Sequence, residues 1–466
     1  MSTPKTSLQL AFLGGEMLIY LISGLLLYVV ISRVAGPVLL GQYTLVLSWM
    51  LVFQALGNFG ISELLMREFG RFSDQRSEYL GAGIILGATA SITMIPLMVL
   101  ASSLAGYDQQ MMTALTIAAL SLPGAMLLSV ARSGFIAHQR VGFVFATRLF
   151  EFVLIVPLNL VLLIHGWGIE MLTSVLVTGR AVGALLALYL LHRHAIAVLW
   201  WPGWERVKAL FPPAVTFATS NSLGIAGIHL NVIMLSLMAP VSAVGIFGAG
   251  FKLVEGMMLL TVLFGQFYLP QIANSLHSQR SLGLEPFCTP FRLLFAIMIP
   301  IGIGLVVFPD IPVRLIFGAE FEQTIDVLRI MGIFYLVYGL EASLSMILKA
   351  ATLQRLDLQI LVTNPMLNVI VNLALIPLFG ALGAAIGQLC GGLCSATIRY
   401  VCVTRKISSP GWGRLVAPLL ASSVLAGGII TVSSHLAPDW VRVALYCLAM
   451  LVMIGWTVRS AMVTHA

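Results

Sequence analysis

Charge is scarce in this 466-residue chain: Asp, Glu, Lys and Arg make up 9% of it, against about 25% in a soluble domain. That scarcity excludes an ordinary water-soluble fold. Cysteine is scarce as well, with five in all, at Cys288, Cys390, Cys394, Cys402 and Cys447. Each falls in or beside an apolar segment with no CxxC or Cys/His ligand spacing, so the thiols read as small apolar residues and not as metal ligands or disulfides. No GxxxxGK[ST] loop occurs, which argues against ATP hydrolysis. No HxxxH pair and no Ser/His/Asp arrangement offers a metal site or a nucleophile. No cofactor and no metal are expected. Long polar stretches are missing too, so there is no soluble domain to host chemistry, and the chain reads as a non-enzyme.

What is present is apolar. Hydrophobic residues form 59% of the sequence and the mean hydropathy is +1.01. Apolar runs of bilayer-spanning length, about 20 residues, recur near 8–32, 43–66, 80–104, 113–134, 143–164, 171–191, 213–238, 246–268, 290–308, 326–348, 358–378, 383–403, 416–434 and 441–458. The first is too long for the apolar core of a secretion signal and reads as a retained span. The expected fold is an all-α polytopic membrane protein of about fourteen transmembrane helices.

The net charge of +7 is explained by its distribution. With alternate loops assigned to opposite sides, one side collects most of the basic residues, among them Lys5, Arg67, Arg132, Arg140, Arg193, Arg206 and Lys349. The other receives Arg33, Arg314 and Arg442. That asymmetry places both termini in the cytoplasm, and nucleic acid is not implied. Outer loops such as AGYDQQ at 105–110 are short, whereas an enzyme joining sugars outside the membrane would usually carry a large one.

The chain also repeats itself. Pro37 and Val38 lead to Gly41 and Tyr43; Pro240 and Val241 lead to Gly245 and Phe247. Further matches follow, such as Gln139-Arg140 with Gln354-Arg355. The reading is an N-terminal six-helix lobe over 1–195, a cytoplasmic linker at 196–212, a C-terminal six-helix lobe over 213–403 and two added helices in 404–466. An even number of spans per copy relates the lobes by a pseudo-two-fold axis along the membrane normal. Lys252 stands where the first copy has Ser48, so the copies share a backbone pattern and differ in charge.

The stretch ISRVAGPVLLGQYTLVLSWMLVFQALGNFGISELLMREFGR at 31–71 resembles the first-to-second-helix signature of the polysaccharide flippases, the O-antigen and exopolysaccharide repeat-unit exporters. These belong to the multidrug/oligosaccharidyl-lipid/polysaccharide exporter superfamily. Residues 209–274 resemble their seventh and eighth helices. The resemblance implies two lobes around a cavity that opens alternately to each side. The implied cargo is an undecaprenyl-pyrophosphate-linked oligosaccharide, moved across the bacterial inner membrane for surface polysaccharide such as lipopolysaccharide or exopolysaccharide. Membrane lipids, a polysaccharide polymerase and a chain-length regulator are the implied partners. One departure is Asn231, which stands where many relatives carry Asp.

Charges inside a bilayer cost about 2.5–3.5 kcal/mol each, so they mark candidate sites. Lys252 and Glu255 share a helical face: either Lys252 attracts the pyrophosphate with Glu255 tuning it or carrying a proton, or the two merely neutralise each other. Arg148 and Glu151 repeat that spacing near a span end, where snorkelling is the alternative. Arg180, mid-span between Gly179 and Gly183, faces either the cavity or a carboxylate. Glu16 has no basic neighbour in sequence; it suits protonation during transport or sits hydrated near the surface, and Glu341 is comparable. Arg329 and Arg399 read as snorkelling anchors. His229 and Asn231 either contact sugar or join helices, and the Asn364, Asn368, Asn372 stripe leaves the same choice open. Pro96, Pro123, Pro157 and Pro300 are candidate hinges. Two other functions compete: a drug or organic-cation antiporter, which would want acidic and aromatic walls, and a membrane glycan polymerase or ligase.

Overall fold

The structure is a computed structural model that describes residues 4–196, 198–278 and 285–407, together with positions 420, 424, 441, 445, 446, 448–451 and 455. The expected spans at 416–434 and 441–458, with Cys447, therefore lie largely outside the described residues. All regular elements among the described residues are helical, and ten helices are long and apolar enough to cross a membrane. The chain divides into two compact units, Met1–Gly245 and Ile246–Ala466.

In the first unit, α1 (Pro4–Asn58) comprises two helices that meet at a kink and correspond to the two expected spans at 8–32 and 43–66. The kink lies at Gly36, whose φ of 70° and ψ of −168° are non-helical. Glycine adopts that conformation without a Cβ penalty, and Pro37 after it supplies no N–H to continue the preceding turn. The second span ends earlier than its apolar run suggests. Phe59 and Gly60 both take positive φ and turn the chain into α2 (Ile61–Arg71), a separate amphipathic helix. Then come α3 (Arg76–Leu104), α4 (Gln109–Ala119), α5 (Leu122–Ala137), α6 (Val141–Ile164), α7 (Ile169–His194) and α8 (Trp204–Met238). The expected span at 113–134 is split between α4 and α5, with Pro123 in the first turn of α5. Pro96 and Pro157 lie inside continuous helices.

The repeated motifs meet directly. Gly41 on α1 lies against the first turn of α9 (Val241–Ser278), so close that a Cβ on Gly41 would fall 2.0 Å from the Val241 carbonyl oxygen. Reciprocally, a Cβ on Gly245 would fall 2.1 Å from the Pro37 carbonyl oxygen. Only hydrogen fits at either position. Nearby, the Tyr107 hydroxyl accepts from Trp49 Nε1 at 3.2 Å and is 2.7 Å from Ser236 Oγ. Burial raises its pKa above 10.0.

The second unit continues α9 and adds α10 (Glu285–Val307), α11 (Asp310–Ile316), α12 (Thr324–Ala350), α13 (Gln354–Leu361), α14 (Thr363–Phe379) and α15 (Ala381–Lys406). Pro300 lies inside α10, and its carbonyl accepts from the Tyr446 hydroxyl at 2.9 Å. The asparagine stripe on α14 joins helices: Asn368 Nδ2 donates to Gln388 Oε1 on α15 at 2.9 Å, and Asn372 Nδ2 donates to Asn368 Oδ1 at 2.5 Å. Asn368 and Asn372 are fully buried, and Asn364 abuts Gly391 of α15.

Candidate substrate site

The first unit concentrates its intramembrane charge in one cluster built by four helices. From α1 come Glu16, Tyr20, Met50 and Gln54; α5 brings Arg132, α6 Arg148 and Glu151, and α7 Arg180. Arg132 Nη2 lies 2.9 Å from Glu16 Oε2, and Arg148 Nε lies 3.6 Å from Glu16 Oε1. Arg148 also pairs with Glu151 at 2.9 Å and stands over the Tyr20 ring, 5.3 Å from its centroid. Arg180 Nη1 donates to Gln54 Oε1 at 3.2 Å and touches the Met50 sulfur at 3.1 Å. Gly179 and Gly183 on either side of Arg180 let α7 approach α6, since a Cβ at Gly183 would sit 3.0 Å from Glu151 Cγ. That approach brings the Arg180 charge within reach of Glu151.

Burial divides the four ion-paired residues of the cluster by sign. The Glu16 and Glu151 side chains are 6% and 8% exposed, whereas those of Arg132 and Arg148 are 51% and 34% exposed. The carboxylates are counter-ions set behind the guanidinium groups, and the accessible surface is cationic. Each guanidinium has five N–H donors in a planar fork matched to phosphate oxygens. Pairing with Glu16 uses one donor of Arg132 and leaves most of the fork available.

This arrangement corrects one expectation. Glu16 is not isolated, because two arginines more than a hundred residues away in sequence hold it. Arg148 is paired with Glu16 and Glu151 and stacked on Tyr20 while a third of its side chain stays exposed. Arg132 was legible only as a loop charge, and its role in the cluster depends on packing between α1 and α5. His229 Nδ1 lies 3.2 Å from Ser48 Oγ, and Asn231 is fully buried on α8.

The second unit holds two further ionic groups. Lys252 and Glu255 on α9 pair at 2.8 Å, with side chains 13% and 32% exposed. Arg399 on α15, expected as a snorkelling anchor, is instead 2% exposed. It lies 2.6 Å from Glu341 on α12 and 2.8 Å from Asp357 on α13. Ser395 hydrogen-bonds the same Glu341 oxygen, and Ser345 donates to Asp357 at 2.7 Å. Glu341 and Arg399 line a crevice of about 390 Å³ together with Thr261, Tyr338 and Lys349. Arg329 pairs with Asp326 at 2.7 Å on an exposed surface. No group of three or more His, Cys, Asp and Glu among the described residues is arranged to hold a metal ion.

The family model described as "Polysaccharide biosynthesis protein" matches residues 11–275, more than half of the chain and all of the cationic cluster. The chain belongs to this family. A probable low-salt glycan biosynthesis flippase, Agl15 of Haloferax volcanii, is 24% identical over 236 residues, 48% of this chain and 49% of that protein. The chain thus matches about half the length of that curated relative. Among solved structures, the lipid II flippase MurJ in an inward closed conformation superposes with a TM-score of 0.78 at 14% identity, covering 97% of this chain and 100% of that one. An inward-facing multidrug resistance MATE transporter of the MOP superfamily gives 0.63 at 16% identity, covering 84% and 95%. These likenesses establish the fold, and the all-α polytopic architecture expected from the sequence is borne out.

Proposed function

We propose that this polysaccharide biosynthesis protein is a flippase that moves a polyprenyl-pyrophosphate-linked oligosaccharide from the cytoplasmic to the outer leaflet of a bacterial inner membrane by alternating access. The observation that carries this reading is the sign-sorted cluster of the first unit. Exposed Arg132 and Arg148 guanidinium groups stand in front of buried Glu16 and Glu151. Such a surface recruits a diphosphate and repels a cation. The likeness to two flippases, Agl15 and the lipid II flippase MurJ, supports a lipid-linked cargo. Within the second unit, Lys252 is a candidate phosphate contact and Glu255 its tuning partner. His229 in the first unit and Asn364 in the second are candidate sugar contacts, with Asn231 and Asn368 buried as supports within their own units, and Glu16, Glu151 and Glu341 work as counter-ions more than as free proton carriers. The two-lobe division with linker 196–212, cytoplasmic termini and a polymerase partner belong to the same proposal.

Arg132→Gln combined with Arg148→Gln keeps side-chain length and removes both exposed charges. Lipid-linked repeat units should then accumulate in the cytoplasmic leaflet while the protein is present at its normal level. Unchanged surface polysaccharide in that variant would refute the assignment. The likeness to a MATE transporter favours one rival, an organic-cation antiporter. Gradient-driven uptake of an organic cation by purified protein in vesicles would establish that rival.

A further inference from the structure

Three tryptophans crowd the segment that joins α7 to α8. Trp200, Trp201 and Trp204 are 66%, 65% and 55% exposed. The segment starts where α7, a membrane-spanning helix, ends at His194, and it finishes at the first turn of α8. It therefore begins where the chain leaves the apolar layer at the end of α7, on the side to which the Lys and Arg distribution assigns the cytoplasm.

The segment is fastened to the first unit. Ile196 and Val198 are buried in the apolar cluster that includes Phe69, Leu80 and Phe135. The Val198 N–H donates to His192 Nδ1 at 3.0 Å. The Leu199 carbonyl oxygen lies so close to Gly81 on α3 that a Cβ there would be 1.9 Å from it. Arg206 pairs with Glu78 at 2.5 Å and stands 4.8 Å over the Tyr79 ring, which stacks with Phe72. Inward residues anchor the strap, and Leu199, Trp200 and Trp201 point outward from it as a fixed apolar surface. Within the strap His192, Arg193, His194 and Lys208 are exposed bases and Glu205 is the one acid, while the neighbouring Glu78 is neutralised by Arg206.

We propose that this strap, residues 192–196 and 198–208, is a binding site for anionic glycerophospholipid headgroups. The three indoles seat at headgroup depth, where a flat ring with one N–H donor is favoured. Arg193 and Lys208 meet the lipid phosphates. Held to α3 at Gly81 and Glu78, the strap fixes the height of the first unit relative to the leaflet surface. This assignment is independent of the cargo.

Brominated lipids test it. Full-length protein is reconstituted in phosphatidylcholine vesicles brominated near the carbonyl end of the acyl chains, and the fluorescence lost in Trp200→Phe/Trp201→Phe/Trp204→Phe isolates the strap from the other tryptophans. Bromine should quench that difference signal by at least about half, while aqueous acrylamide quenches it several-fold less than free tryptophan. Full access to acrylamide without bromine quenching places the indoles in water and overturns the proposal. At equal bromine content, brominated phosphatidylglycerol should quench about twofold more than phosphatidylcholine, and Arg193→Gln/Lys208→Gln should abolish the difference. Equal quenching of the unsubstituted protein by both lipids refutes headgroup recognition. Phenylalanine keeps the apolar bulk; if the triple variant does not fold, single Trp201→Phe is read in the same way.

Discussion

Arg399 offers a test of how the second unit is held together. Replacing it with Met keeps apolar length and removes a guanidinium that is 2% exposed and bonds Glu341, Asp357 and Ser395. Asp357 retains Ser345 at 2.7 Å and Lys349 at 3.8 Å. Glu341 retains Ser395 and loses its cation. Removing one partner of a buried ion pair costs about 3–5 kcal/mol because the other charge stays buried. In a unit of this size each kcal/mol lowers the melting temperature by about 2–4 °C, so Arg399→Met should lower it by about 6–20 °C. Adding Glu341→Gln removes the stranded charge and should recover a good part of that loss, since the coupled residues are non-additive. The assay is thermal unfolding of the purified protein in detergent, read by tryptophan fluorescence for each single variant and the pair. A melting temperature for Arg399→Met equal to that of the unsubstituted protein would refute the buried network. Strictly additive losses in the double variant would refute the coupling.

Three further outcomes are expected. Gly41→Ala drives a methyl into the Val241 carbonyl, 2.0 Å from its position; backbone cannot step aside as a side chain can, so the cost should reach or exceed the upper end of about 1–3 kcal/mol for overpacking, measured by the same unfolding assay. Glu16→Gln leaves Arg132 without its carboxylate at 2.9 Å, and binding of a polyprenyl diphosphate, read by tryptophan quenching, should change severalfold while Glu16→Asp changes it less. Burial, chiefly, and the Arg76 charge hold His138 below its ordinary 6.5. Its contribution to stability is therefore complete above 6.5 and is lost as pH falls through the lower folded value. His138→Gln should flatten that part of the stability profile, and an unchanged slope would contradict the assigned environment.

The apolar runs made the helices legible because a bilayer demands about 20 such residues wherever a chain crosses it. Breaks were harder to read. The turn at Phe59–Gly60 and the split between α4 and α5 occur within sequences whose composition stays apolar, so hydropathy passes over them. Ion pairs within one helical turn, Lys252 with Glu255 and Arg148 with Glu151, followed from spacing alone. Glu16 with Arg132 and Arg399 with Glu341 did not. These partners are 116 and 58 residues apart, and helices apolar on every side carry no stripe to show which faces meet. The same reason hid Arg132, whose position near a span end reads as topology until α1 is seen beside it.

The meeting of Gly41 with Gly245 has a consequence for how such a sequence can drift. Each glycine sits against the backbone of the other copy, Gly41 at the Val241 carbonyl and Gly245 at the Pro37 carbonyl. Two halves that otherwise differ in charge, in loops and in most side chains are therefore not free to diverge separately here. Second-site revertants of a Gly41 substitution should map to the opposite repeat, at residues 240–245, and a selection for regained function would read that reciprocity directly from the genotype.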